Sequence, residues 1–111
     1  MRRRQALEQI ADAEEVLRMI EQADKKERYP YNDLVLLCNE FRHVLERREH
    51  GERDELWKPY YHADVHLKAL EDDFTEDRFQ TAFATVRKIL LSIARRYVRE
   101  MRSGVQQLYP V

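Results

Sequence analysis

One spacing in the second half of the chain does most to limit what it can become. Leu56, Tyr60, Ala63, Leu67, Leu70 and Phe74 follow one another at steps of four and three without a miss. Such steps return to one side of an α-helix, so the six side chains form a single apolar stripe. Three other segments carry the same pattern. Ala6, Ile10, Ala13, Leu17 and Ile20 make one stripe, with Leu7, Val16 and Ala23 widening it. Leu34, Cys38, Phe41 and Leu45 make a second, and Phe79, Phe83, Val86, Leu90, Ile93 and Tyr97 a third. No run alternates apolar and polar residues as a half-buried strand would. The expected fold is all-α: four helices, each hiding its stripe against the others, in an antiparallel up-down-up-down bundle.

Composition agrees. Ala, Glu, Lys, Leu and Arg supply about half of the 111 residues, and there are only 2 Gly and 3 Pro. A chain of this length buries a sufficient core without disulfide or metal staples.

The breaks between stripes set the boundaries. The spacing predicts helices over residues 3–28, 32–50, 54–72 and 76–102. Pro30 disfavours helix in the residue before it, and Asn32 or Asp33 is suited to cap the second helix. Gly51 stands where a C-terminal cap is usual. Pro59 is tolerated in a first turn, which moves the regular start of the third helix toward Lys58. Thr75 or Asp73 caps the fourth helix, and Ser103-Gly104 ends it. The expected organisation is one domain over residues 1–104, followed by a short tail over 105–111.

Lys plus Arg number 20 and Asp plus Glu 21, a formal charge of −1. There is no global attraction to nucleic acid or to an anionic membrane. No apolar run approaches the roughly 18–20 residues of a membrane span. Met1-Arg2-Arg3-Arg4 opens like a secretion signal, but Glu8, Asp12, Glu14 and Glu15 interrupt any apolar region behind it. Cys38 is the lone cysteine, so no internal disulfide forms. A cytoplasmic location is the expectation.

Charge is distributed unevenly. An up-down bundle gathers eleven basic and seven acidic residues at the end holding the start of helix one and the end of helix four. The opposite end gathers nine acidic and five basic residues. Lys88, Arg95 and Arg102 recur every seven residues with Arg99 beside them, a basic stripe available to nucleic-acid phosphates. Basic residues near a helix C-terminus on its solvent side are also favourable without any ligand. No zinc finger, aromatic RNA-binding signature or helix-turn-helix accompanies the stripe.

His62 and His66 lie one helical turn apart and offer two metal ligands, with His43 at a similar height across the second hairpin. No carboxylate completes the set at the matching spacing. Glu40 and His43 have the Glu-x-x-His spacing of di-iron bundles, but the second such pair and the inward glutamates are missing. There is no Gly-rich phosphate loop, Cys-x-x-Cys or Gly-x-Ser-x-Gly. Also lacking are the complete paired-glutamate pattern of helical nucleotide pyrophosphatases and the Arg-x4-6-His spacing of helical ribonucleases. Cys38 falls on a core stripe and reads as an inert thiol rather than a nucleophile.

Aromatic residues cluster around two prolines: Trp57, Tyr60 and Tyr61 by Pro59, and Tyr29 and Tyr31 by Pro30. Such residues are enriched at binding hot spots, and equally cover bundle ends. These readings lead to a small, non-catalytic interaction module without a cofactor. It would bind another protein, or itself, through Trp57, Tyr61, Leu91 and Val98. The broad apolar surface of the fourth helix makes a homodimer a companion expectation. The alternatives are a nucleic-acid-associated protein using Lys88, Arg95, Arg99 and Arg102, and a metal-binding bundle using His62 and His66.

Overall fold

The computed structural model describes residues 3–23, 30–47 and 55–108. They form α1 (Arg3–Ala23), α2 (Tyr31–Glu46), α3 (Trp57–Asp72) and α4 (Glu76–Leu108), with no strand among the described residues. The bundle is four-helical and antiparallel throughout. Arg102 on α4 meets Glu14 on α1, while Arg87, four turns earlier, meets Ile20 and Glu21. Phe41 stacks on Tyr60, and Tyr31 meets Phe74, so α2 and α3 also run opposite ways.

Helix α4 organises the packing. It touches all three other helices, with α1 and α3 on its flanks and α2 lying across. Thirty-three residues at 1.5 Å each give about 50 Å. That matches the longest dimension of a flattened molecule measuring 51 × 29 × 17 Å. Val86 and Leu90 lose all their exposure, and Phe79, Ile93, Ala94 and Tyr97 nearly all. Facing them are Ile20, Leu34, Leu37, Phe41, Leu45, Leu56 and Ala63, equally buried. Leu7, expected to widen the stripe of α1, is exposed instead.

The helix ends show where local chemistry differs from the expected spacing. Pro30 is itself the N-cap of α2, with φ −69° and ψ 140°, and its carbonyl accepts from the Asp33 and Leu34 amides. Asn32 and Asp33 are therefore inside the first turn, where Asp33 favours the positive end of the helix dipole. Helix α3 starts at Trp57, with Pro59 in its first turn. It ends at Asp72, because Asp73 leaves helical geometry at φ −151° and ψ 79°. Phe74, expected on the α3 stripe, consequently falls in the turn and is 51% exposed. Thr75 caps α4, its Oγ1 accepting from the Arg78 amide at 3.1 Å. The Gly51 cap expected for α2 and the extension of α1 to residue 28 lie outside the described residues.

The C-terminal boundary is corrected. Helix α4 does not stop at Ser103-Gly104 but continues to Leu108, so residues 105–108 are helix rather than tail. Gly104 sits inside a continuous helix, and a Cβ placed there meets nothing within 4 Å. Gly104→Ala should therefore raise stability by about 0.5–1 kcal/mol, through helix propensity alone. Urea denaturation checks this; a loss of stability would mean that the helix terminates at the glycine after all.

Candidate functional site

The most distinctive surface feature runs along α4 where it packs on α1. Leu17 and Val98 form the floor of an open groove of about 520 Å³, and Arg95, Arg99, Arg102, Ser103 and Gln106 line its walls. The α4 residues recur at three- and four-residue steps, so one face of one helix supplies nearly the whole lining. Because α4 continues past Gly104, Gln106 joins Arg95 and Arg99 in lining the groove. Val98 is 6% exposed and so offers only an edge, while Leu17 is half-buried.

The three guanidiniums differ. Arg102 is held by Glu14, its Nη2 and Nε donating to one carboxylate oxygen at 2.7 and 3.1 Å. The pair is exposed and contributes little to stability, but it fixes the position of one cation at the groove edge. Arg95 and Arg99 have no ion pair among the described residues. Three other basic residues of that end are engaged. Arg96 donates to Glu55 at 2.7 Å and to Glu100 at 2.9 Å, and these hydrogen bonds push its pKa further up. Arg47 pairs with Asp12, and Arg4 with Glu8.

The expected basic stripe is thus split. Lys88 does not join Arg95, Arg99 and Arg102. It lines a different groove, of about 290 Å³, between α3 and α4 with Pro59, Ile89, Ser92 and Arg96. Distance along the helix explains the division, because Lys88 stands seven residues, about 10 Å, before Arg95.

The expected partner surface is divided as well. Trp57 is 5% exposed, stacked at 5.6 Å against Tyr61 and edge-on to Tyr60. Its role is core, since the indole closes the start of α3. Tyr61 is 45% exposed. Leu91 is half-buried against the core, and Val98 is nearly covered. Trp57 and Tyr61 belong to α3 and do not line the groove that holds Val98, so the four residues are not one surface.

His62 and His66 are exposed on α3, one turn apart. His66 lines a further groove with Asp77, Arg78 and Thr81, while His43 on α2 approaches Glu46 at 3.5 Å. Among the described residues no group of three or more His, Cys, Asp or Glu side chains comes together to hold a metal. No helix among them is long and apolar enough to cross a membrane.

Sequence spacing missed one residue that positions these elements. Arg87 sits at the edge of the α4 stripe and donates to the Ile20 carbonyl at 3.1 Å and the Glu21 carbonyl at 3.3 Å. These carbonyls lie in the last described turn of α1. The only sequence signal was a cation within an otherwise apolar flank.

Compared with protein-family models, with curated proteins and with solved structures, the chain finds no match.

Cys38 is buried on the core side of α2, and its carbonyl accepts from the Tyr60 hydroxyl at 3.4 Å. Burial, aided by the Asp64 charge, pushes the thiol from 9.0 up to about 12. In an unfolded chain the thiol ionises near 9 but in the folded one only near 12, so the stability linked to the neutral thiol is complete below pH 9. It is lost as pH climbs through that window, at up to roughly tenfold in unfolded fraction per pH unit. Burial raises Tyr60 too, in the same sense, so part of the alkaline slope belongs to tyrosine. Denaturation curves across the window should be flatter for Cys38→Ala than for wild type; identical slopes would refute the assignment.

Proposed function

We propose that the chain is a non-catalytic helical interaction module that receives an acidic protein segment carrying an apolar side chain in the α1–α4 groove. The observation that carries the reading is the composition of that one groove. Leu17 and Val98 supply an apolar floor, and Arg95, Arg99 and Arg102 surround it. Guanidiniums recognise carboxylates with paired hydrogen bonds, and an apolar contact adds affinity that charge alone does not. Arg95 and Arg99, without a carboxylate partner among the described residues, are the cations available to a ligand. Trp57 and Tyr61 then support the start of α3, with Tyr61 as a secondary contact.

A second reading uses the same arginines to hold nucleic-acid phosphates. The apolar floor favours a protein segment, because a phosphate backbone has nothing to set on Leu17 and Val98.

The test is a titration with a fluorescent seven-residue peptide of Asp and Glu centred on one Leu, beside a 20-base DNA duplex and a 20-base RNA. The peptide should bind and weaken with salt, and Arg95→Glu with Arg99→Glu should reduce its affinity about tenfold or more. Replacing the central Leu by Ser should weaken it several-fold. Nucleic acid binding more tightly than the peptide, with a steep salt slope, would replace the first reading by the second. No binding of any of the three would remove both.

A further inference from the structure

The opposite end of the molecule carries the chemical complement of the groove. The corner between α3 and α4 reads Glu71, Asp72, Asp73, Phe74, Thr75, Glu76, Asp77. Phe74 is at its centre, with half of its surface in solvent. The ring does not hang free. It meets Tyr31 edge-on at 5.7 Å and lies 6.0 Å from Phe79, which fixes its direction. The Thr75 cap fixes the backbone beneath it. Around it, Asp73 is paired with Arg78 at 2.7 Å and Glu76 accepts from Gln80 at 3.1 Å. Glu71, Asp72 and Asp77 have no ion pair among the described residues. The corner is therefore a rigid apolar knob ringed by uncommitted carboxylates, and the groove an apolar floor ringed by guanidiniums.

A chain cannot fill its own groove with its own corner. Asp77 and Arg99 lie on one continuous helix, twenty-two residues apart, which at 1.5 Å per residue holds them about 33 Å from each other. Only another molecule can supply the match. With a formal charge of −1, two copies meet without appreciable long-range repulsion, so local attraction between opposite ends is not opposed.

Building on the groove reading above, we propose that its occupant is a second copy of this chain, whose α3–α4 corner docks with Phe74 on Leu17 and Val98 and its carboxylates on Arg95 and Arg99. Corner and groove are different surfaces, so the contact is heterologous. Each single contact leaves one groove and one corner open, and assembly grows with concentration unless a ring or reciprocal pair closes it.

The experiment is light scattering on the full chain across protein concentration and salt, with two variants. The groove variant is Arg95→Glu with Arg99→Glu. The corner variant is Phe74→Ala with Asp72→Asn, all at exposed positions outside the core. Wild type should gain mass with concentration and lose it with salt. Each variant alone should stay monomeric, or need at least about tenfold more protein to associate. Mixing the two variants should form a pair and stop there, because one retains the corner and the other the groove. Circular dichroism of each variant tells a lost contact from a lost fold; if either fails to fold, Arg99→Gln and Phe74→Ser replace them. A monomeric wild type at every concentration, association that neither variant reduces, or variants that fail to pair would each overturn the proposal. If wild type is monomeric while the Leu-centred acidic peptide still binds and Arg99→Glu abolishes that binding, the groove reading stands and self-association falls. If the peptide fails as well, both fall.

Discussion

Everything in this molecule rests on one long apolar stripe, the face of α4 that carries Phe79, Val86, Leu90, Ile93 and Tyr97. Helices α1, α2 and α3 are amphipathic but short, and none spans the bundle. Helices α1 and α3 bury their stripes mainly against this helix, and α2 packs on α1 as well as on α4. Burial of this kind is strong but non-directional. Direction comes from polar contacts at the margin, such as Arg87 to the end of α1, Tyr60 to the Cys38 carbonyl, and Thr75 at the start of α4. The core supplies cohesion and the margin supplies orientation.

The class of fold was legible because burial imposes a period that survives translation into sequence. Ala6, Ile10, Ala13 and Ile20 on α1, and Leu34, Cys38, Phe41 and Leu45 on α2, are all buried as their spacing requires. Periodicity says nothing, however, about where a helix must stop. Phe74 keeps the spacing of α3 but belongs to the next turn, since Asp73 has already left helical geometry. Gly104 looks like a terminator because glycine usually is one, yet continued helix there costs only about 1 kcal/mol and neighbouring turns absorb it. Trp57, expected as a partner contact, is buried, because a large indole at a helix start reaches inward where a smaller side chain would not.

The groove was half legible. Arg95, Arg99 and Arg102 stand out in sequence as a basic repeat, and Val98 as an outer apolar residue. Nothing in the sequence joined the two, because the partner wall comes from α1, about eighty residues away. Leu17 was assigned to a core stripe, and its exposed remainder becomes visible only when α1 is laid on α4. Lys88 shows the converse. It shares the seven-residue repeat, but it stands a full heptad, about 10 Å along the axis, before Arg95 and lines a groove beside α3 instead. Position at the basic end does not by itself mark an available cation, since Arg4, Arg47, Arg96 and Arg102 already have carboxylates beside them.

Arg87 has a consequence for how the sequence can drift. It grips main-chain oxygens of Ile20 and Glu21, not their side chains. A clamp of that sort is blind to residue identity on the helix it holds: the acid at position 21 can be exchanged freely while the oxygen stays where it was. At that end of α1 the polar link to α4 runs through this guanidinium, as the Arg102–Glu14 pair links the two helices farther along. Related chains would be expected to vary at position 21 and to retain arginine at 87, a substitution pattern that reads as conservation without an evident partner.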